Sequence, residues 1–246
     1  MHPQEKGREN MQNKMMKKYF PVFVLPTLLA FTIGFIVPFI MGVYLSFCKF
    51  TTVTDAKFVG LQNYVKIFTE DGTFGHALWY TTAFTVVSVV LINVIGFAVA
   101  LLLTKKIKGT NIFRTVFFMP NLIGGIILGY IWQFVFNKVI VYFGDALNVT
   151  VLQKSMLSGS ASAFAALVLV TIWQFSGYMM LIYVAGFMSV PKSLKEAAQI
   201  DGCTSFQATV NIIIPLMRAS FVQCLFLTIT RCFMVYDVNL SLTKGE

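Results

Sequence analysis

Charge is what this 246-residue chain has least of: 12% of its residues are charged, against roughly 25% in an ordinary soluble domain. In the same chain 57% of residues are hydrophobic and 25 are Phe. A soluble fold of this length could not cover its surface with so few polar groups, so a membrane protein is expected. Histidine is almost missing: only His2 and His76 occur, far apart, which argues against a His-based zinc site or catalytic triad. No Gly-Lys pair occurs either, so there is no GxxxxGK loop to cradle the phosphates of a nucleotide. The ten acids all fall outside the cores of the apolar runs. Proton- and ion-driven carriers keep Asp, Glu or Lys inside their spans, so energy for any transport is expected from another subunit. The four cysteines show no CxxC or metal spacing, and three lie in or beside apolar runs, where Cys behaves as a small apolar residue.

What the chain does have is long apolar runs. A bilayer core of ~30 Å needs about 20 helical residues. Five windows meet this: Phe20–Phe47, Leu78–Thr104, Ile112–Phe136, Ser160–Met188 and Ile212–Tyr236, the last holding Arg218 and Arg231. Backbone groups in lipid must be satisfied internally, and continuous runs without strict alternation exclude a β-barrel. The expected fold is all-α, a polytopic transmembrane helix bundle. The first run is too long for a signal-peptide core and is read as a retained anchor. Pro38 and Pro120 are expected to kink their spans, and Gly125-Ile-Ile-Leu-Gly129 to be a helix-packing face.

The net charge of +9 is not spread evenly. Lys6, Arg8, Lys14, Lys17 and Lys18 precede the first span, Lys105, Lys106, Lys108 and Arg114 fill the second connection, and Lys192, Lys195 and Arg218 flank the fourth. Basic residues collect on the cytoplasmic side, so the N-terminus is expected inside and the connections near 49–77 and 137–159 outside. This placement accounts for the charge through membrane lipid and topology rather than nucleic acid.

One stretch breaks the apolar pattern. EAAQIDGCTSFQATVNIIIPL, residues 196–216, is polar yet lies between two spans. Ser193 and Glu196 fit a capping box, Gly202 suits a left-handed helix stop, Thr204 or Ser205 is placed to cap a second helix, and Pro215 to bend it. Leu194, Ala197 and Ala198 share one face of a helix too short to be stable alone in water. The stretch lacks the Lys/Arg-rich face of an interfacial helix, so docking into a protein groove explains it better.

Glu-Ala-Ala, two residues, Asp-Gly and a later I-x-I-P resemble the EAA motif of ATP-binding-cassette importer permeases, carried here by Glu196, Ala197, Ala198, Asp201, Gly202, Gln207, Ile212 and Pro215. The Asp-Gly pair is similar to the carbohydrate-uptake branch, with its maltose and glycerol-phosphate permeases. FVGLQNYVKIF (58–68), GTNIFRTVFFMPNLI (109–123), IWQFVFN (131–137) and VYDVNLSLT (235–243) extend the likeness over most of the chain, while Cys203, Phe206 and Thr209 depart from the usual Ala, Trp and Phe. The resemblance implies a sixth span after residue 246, so five of six spans are expected here, with 1–18 a basic cytoplasmic tail and 19–246 a C-terminally truncated permease domain. It implies that 190–215 is a coupling helix seated in a cleft of the ATPase. Glu196 would pair with a basic group there, Ala197 and Ala198 would meet the cleft floor, and Gly202 would make the turn. It also implies a second permease subunit, two ATPase subunits and an extracellular solute-binding protein as partners. No cofactor is expected in this chain, with ATP and Mg held by the ATPase, and the site is a bacterial plasma membrane.

A sugar path needs amides, hydroxyls and flat aromatic faces. Asn93, Asn121, Gln133, Trp173, Gln174 and Tyr178 qualify by type, with Asn93 and Gln174 foremost because an unpartnered amide in lipid is costly. Interhelical hydrogen bonding explains those two equally well. Arg231 is read as snorkelling to the outer interface. Another polar cargo such as a sugar phosphate fits the same class. A membrane enzyme on lipid-linked sugars is the reading from a different class, but the outer loops offer it only the Glu70-Asp71 pair.

Overall fold

The computed structural model describes residues 19–69, 72–105 and 108–244. The basic tail at 1–18, Glu70 and Asp71, Lys106 and Ile107, and the last two residues lie outside the described residues. Among the described residues the regular elements are helices apart from one antiparallel pair, β1 (Cys48–Lys49) with β2 (Lys57–Phe58). Its contacts fall into two compact units, Met1–His76 and Ala77–Glu246.

In the first unit, α1 (Tyr19–Ser46) is long and apolar enough to cross a membrane. Pro38 has no N–H for the carbonyl one turn back, and the helix takes up the defect as a π turn at Thr32–Ile36 just before it. Phe31, Phe35 and Phe39 stack down one face with centroids 5.2 and 6.4 Å apart. Asn63, on α2 (Gln62–Thr69), donates through Nδ2 to the carbonyls of Ser46 and Cys48, each at 2.9 Å, so the short helix is tied to the end of the span. Asp55 caps the intervening turn by accepting the N–H groups of Thr52 and Thr51 at 2.8 and 3.0 Å. Those two bonds, Thr52 first, hold its carboxyl below the usual 3.8. The folded state gains from a depressed carboxyl at neutral pH and loses that gain only as pH falls below 3.8.

The second unit is organised around α6 (Ser160–Ser189), whose Ala166, Leu167, Val170, Met179, Met180 and Tyr183 are all fully buried. Around it lie α3 (Gly72–Leu103), α4 (Thr110–Phe118), α5 (Gly125–Ala146), α9 (Arg218–Phe233) and α10 (Tyr236–Thr243). Lipid tails are as apolar as Leu, so close packing rather than hydrophobic burial selects the contacts. Small residues mark each one. A Cβ at Gly96 of α3 would lie 3.1 Å from the Ser176 carbonyl, and one at Gly177 of α6 would overlap the Phe117 carbonyl of α4. A Cβ at Gly186 would lie 2.5 Å from the Ser220 hydroxyl of α9. On α5, a Cβ at Gly129 would collide with Ser241 of α10 and one at Gly125 would lie 3.0 Å from Asp237 Cβ, so the expected small-residue face is a packing face.

The third expected span is corrected. The window 112–136 is not one helix: α4 ends in a 3₁₀ turn at Met119–Leu122 containing Pro120, Ile123 is extended, and α5 begins at Gly125. The helix long enough to cross runs from Gly125 to Ala146 instead. Proline without a donor, followed by two glycines, breaks the first helix and lets a second start. The fifth expected span also differs from 212–236. It is a bent pair, α8 (Ser205–Leu216) and α9, meeting at 71° across Met217. Among the described residues, four helices therefore have the length and apolarity to cross, or five with the bent pair counted as one.

Gly129→Val should lower the melting temperature of the detergent-solubilised protein by the equivalent of an overpacking cost of ~1–3 kcal/mol. Gly75→Val, where a Cβ meets nothing within 4 Å, serves as the control. Equal melting temperatures for the two would show that α5 and α10 do not depend on that contact.

Candidate functional site

Two places concentrate polar chemistry: the segment between α6 and α9, and a cavity halfway along α6. In the first, α7 (Lys192–Ile200) is a short amphipathic helix. It ends as a Schellman turn, with Cys203 N–H donating to Ala198 O at 2.9 Å, Gly202 N–H donating to Gln199 O at 3.1 Å, and Gly202 at φ +76°. Only glycine adopts that backbone at no steric cost. Thr204 then caps α8: Gln207 N–H donates to Thr204 Oγ1 at 3.3 Å, and Thr204 N–H donates to Gln207 Oε1 at 2.9 Å. Pro215 lacks the donor its helix needs, and α8 answers with a π turn at Thr209–Ile213 before the chain bends at Met217, which is 1% exposed.

Two details of the expected segment are corrected. Helix α7 starts after Pro191, whose carbonyl takes the Leu194 N–H at 3.2 Å, so Ser193 stands inside the first turn and is not its cap. Ala198 is 3% exposed and buried within this chain, so Ala197 is the alanine left facing outward. Glu196 and Asp201 are exposed, as are Ile200 at 87% and Phe206 at 76%, which leaves apolar groups uncovered on a polar segment.

The cavity, of about 330 Å³, lies between α5, α6, α9 and α10 and is walled by Gly125, Gln174, Phe175, Thr230, Arg231 and Asp237. Gln174 is 5% exposed; its Nε2 donates to Ile123 O at 3.2 Å, while among the described residues its Oε1 has no partner. An orphaned buried acceptor costs about 1–3 kcal/mol, and this oxygen is closed off from the cavity, so a ligand donor would reach it only after the amide turned. The Arg231 guanidinium lies over the Phe175 ring, 5.7 Å from its centroid. The residues of the wall thus bring a carboxylate, an amide, a guanidinium and a hydroxyl around a small space, a set suited to a ligand rich in hydroxyls.

The description "Binding-protein-dependent transport system inner membrane component" matches residues 92–245. The chain belongs to that family. It is 41% identical over 227 residues to the probable starch degradation products transport system permease protein AmyD of Thermoanaerobacterium thermosulfurigenes, covering 92% of this chain and 77% of the relative. It is 31% identical over 234 residues to the multiple sugar-binding transport system permease protein MsmF of Streptococcus mutans, covering 94% and 80%. A bacterial ABC transporter involved in the import of the acidic polysaccharide alginate shares the fold, with a TM-score of 0.76 at 18% identity over 95% of this chain and 84% of that one. The chain is therefore a multi-pass membrane protein of the inner-membrane transport family.

In this inner-membrane component the path residues expected from sequence separate. Only Gln174 lines the polar cavity. Asn93 is an interhelical hub: its Nδ2 donates to Val89 O at 2.8 Å and to Thr228 Oγ1 at 3.0 Å, and its Oδ1 accepts the Tyr183 hydroxyl at 2.7 Å. Gln133 donates to Leu242 O at 3.2 Å and joins α5 to the end of α10. Trp173 packs edge-on against Trp132 at 5.5 Å and borders an apolar groove. Tyr178 packs near Phe118 at 6.2 Å, and Asn121 is half-buried in the turn between α4 and α5. Sequence reasoning missed Arg231, Asp237 and Thr230 as members of one wall. Arg231 within the fifth apolar window was the available signal, because a charge inside a span marks a functional site by default.

Replacing Asn93 by Leu leaves the buried Tyr183 hydroxyl and Thr228 without that partner. Asn93→Leu should cost ~1–2 kcal/mol in thermal stability, and Asn93→Leu with Tyr183→Phe together should cost less than the sum. Additive losses would mean the three helices are not joined through this amide.

Proposed function

We propose that this chain is the membrane permease subunit of an ATP-driven, binding-protein-dependent importer of a sugar or oligosaccharide. The family membership and the relatives named for starch products and multiple sugars support the cargo class. The observation that carries the coupling role is the α7–α8 segment: two short helices joined by a left-handed turn at Gly202, with Glu196, Ala197 and Asp201 exposed at its surface. A helix pair of this size, polar but with Ile200 and Phe206 uncovered, suits a cleft in another subunit. Glu196 would pair with a basic group of the ATPase, Ala197 would allow close approach, and the bend beyond Pro215 would hand the movement to α9.

In this reading the chain is no enzyme. Two ATPase subunits bind ATP and Mg, a second permease completes the pore, and an extracellular binding protein delivers cargo to the outer loops. The N-terminus faces the cytoplasm of a bacterial cell. Gln174, Arg231 and Asp237 receive hydroxyls of the cargo inside the membrane.

The test is cargo-stimulated ATPase activity of the assembled complex in proteoliposomes. Glu196→Ala and Gly202→Pro should each reduce stimulation by roughly fivefold or more, as loss of a coupling free energy of ~1–3 kcal/mol requires, while the subunits still co-purify. Ser193→Ala, which removes no cap, should behave as wild type. Full stimulation in both of the first two variants would make the segment an ordinary surface loop.

A further inference from the structure

A second cavity, of about 200 Å³, is walled by Tyr80, Thr81 and Phe84 of α3 and by Phe233, Tyr236 and Asn239 around the α9–α10 break. Among the described residues, no charged one lines it. Two of its rings pack edge-on against Phe164, Tyr80 at 5.2 Å and Phe84 at 6.2 Å; Phe84 is 1% exposed, so Tyr80, Phe233 and Tyr236 are the rings open to a ligand. The Thr243 hydroxyl donates to the Asn239 backbone carbonyl at 2.9 Å and lies 3.0 Å from Asn239 Oδ1, so the amide Nδ2 is the donor the side chain has to offer. Aromatic faces with an amide, a phenol and a hydroxyl at the rim are the chemistry of an uncharged pyranose: C–H faces rest on the rings and hydroxyls meet the polar groups.

Position supplies the rest. Leu167 of α6 borders this cavity and Gln174 borders the charged one; seven residues of helix separate them by ~10 Å. Val235 belongs to both walls. On α10, Tyr236 and Asn239 face one cavity while Asp237 and Val238 face the other. The uncharged cavity lies nearer the start of α6, the end remote from the α7–α8 segment. On the proposed topology that is the outer side.

We propose that this cavity is an outer subsite for one pyranose ring of a linear oligosaccharide whose leading ring occupies the cavity of Gln174 and Arg231. The inference rests on the permease reading above and narrows its cargo from sugars in general to chains longer than one ring. The outer subsite grips a longer cargo more than a short one.

The experiment measures initial uptake of maltose, maltotriose and maltotetraose by the complete complex in proteoliposomes. Tyr80→Phe and Asn239→Leu each remove one neutral hydrogen bond, and each should lower the maltotetraose-to-maltose uptake ratio about fivefold. Gln174→Leu should lower uptake of all three without changing the ratio. An unchanged ratio in both outer variants, with the wild type importing all three sugars, would overturn the outer subsite while leaving the permease reading intact. A wild-type complex that imports none of the three, yet shows ATPase stimulation by a solute that is not a sugar, would overturn the carbohydrate reading and this inference with it.

Discussion

Helices in lipid gain nothing from hiding apolar surface from one another, and everything in the second unit depends on that constraint. What holds α6 to its neighbours is close approach at Gly96, Gly177 and Gly186, together with the amide of Asn93. At the glycines a helix meets another backbone or a small polar side chain at a distance no Cβ would permit. At Asn93 three helices share one side chain, with hydrogen bonds to Tyr183 on α6 and Thr228 on α9. The frame is therefore defined by a few points rather than by a broad apolar face.

Those points lie beside the breaks in the other helices. Gly177 receives the end of α4 just before the Pro120 turn, and Gly186 receives Ser220 and Met217 at the bend between α8 and α9. A break next to a fixed contact leaves room beside α6, and the two polar cavities open at the α9–α10 break on either side of Val235. The polar segment is attached at the same frame: Met217 is buried against Gly186, so a force on α7 and α8 arrives at the bend where α6 and α9 touch. On the proposed function, coupling and cargo path share one helix.

Much of this was legible in the sequence because single residue types impose it. Gly202 at a helix end, Thr204 three residues before Gln207 and Gly125 four before Gly129 each have one cheap local solution, and the structure adopts it. Pro120 and Pro215 announced bends, but not where the chain would take them up: the first broke an apolar run into two helices, and the second shifted its bend to Met217. The cavity was not legible beyond Gln174. Its wall joins α5, α6, α9 and α10, and residue type alone does not separate an amide that faces a cavity from one, like Asn93, that ties helices together. Ala198 misled for a related reason, since a small residue suits a partner's cleft and the chain's own interior equally well.

The claim on which the account turns is that the α7–α8 segment is what the ATPase grips. Photo-crosslinking from an unnatural residue at positions 197 and 200, with position 151 in the remote loop as the reference, tests it in the assembled complex; Ile200 and Val151 are 87% and 83% exposed. The account predicts adducts to the ATPase subunit from 197 and 200 and none from 151. An intact complex giving no ATPase adduct from either segment position would contradict it.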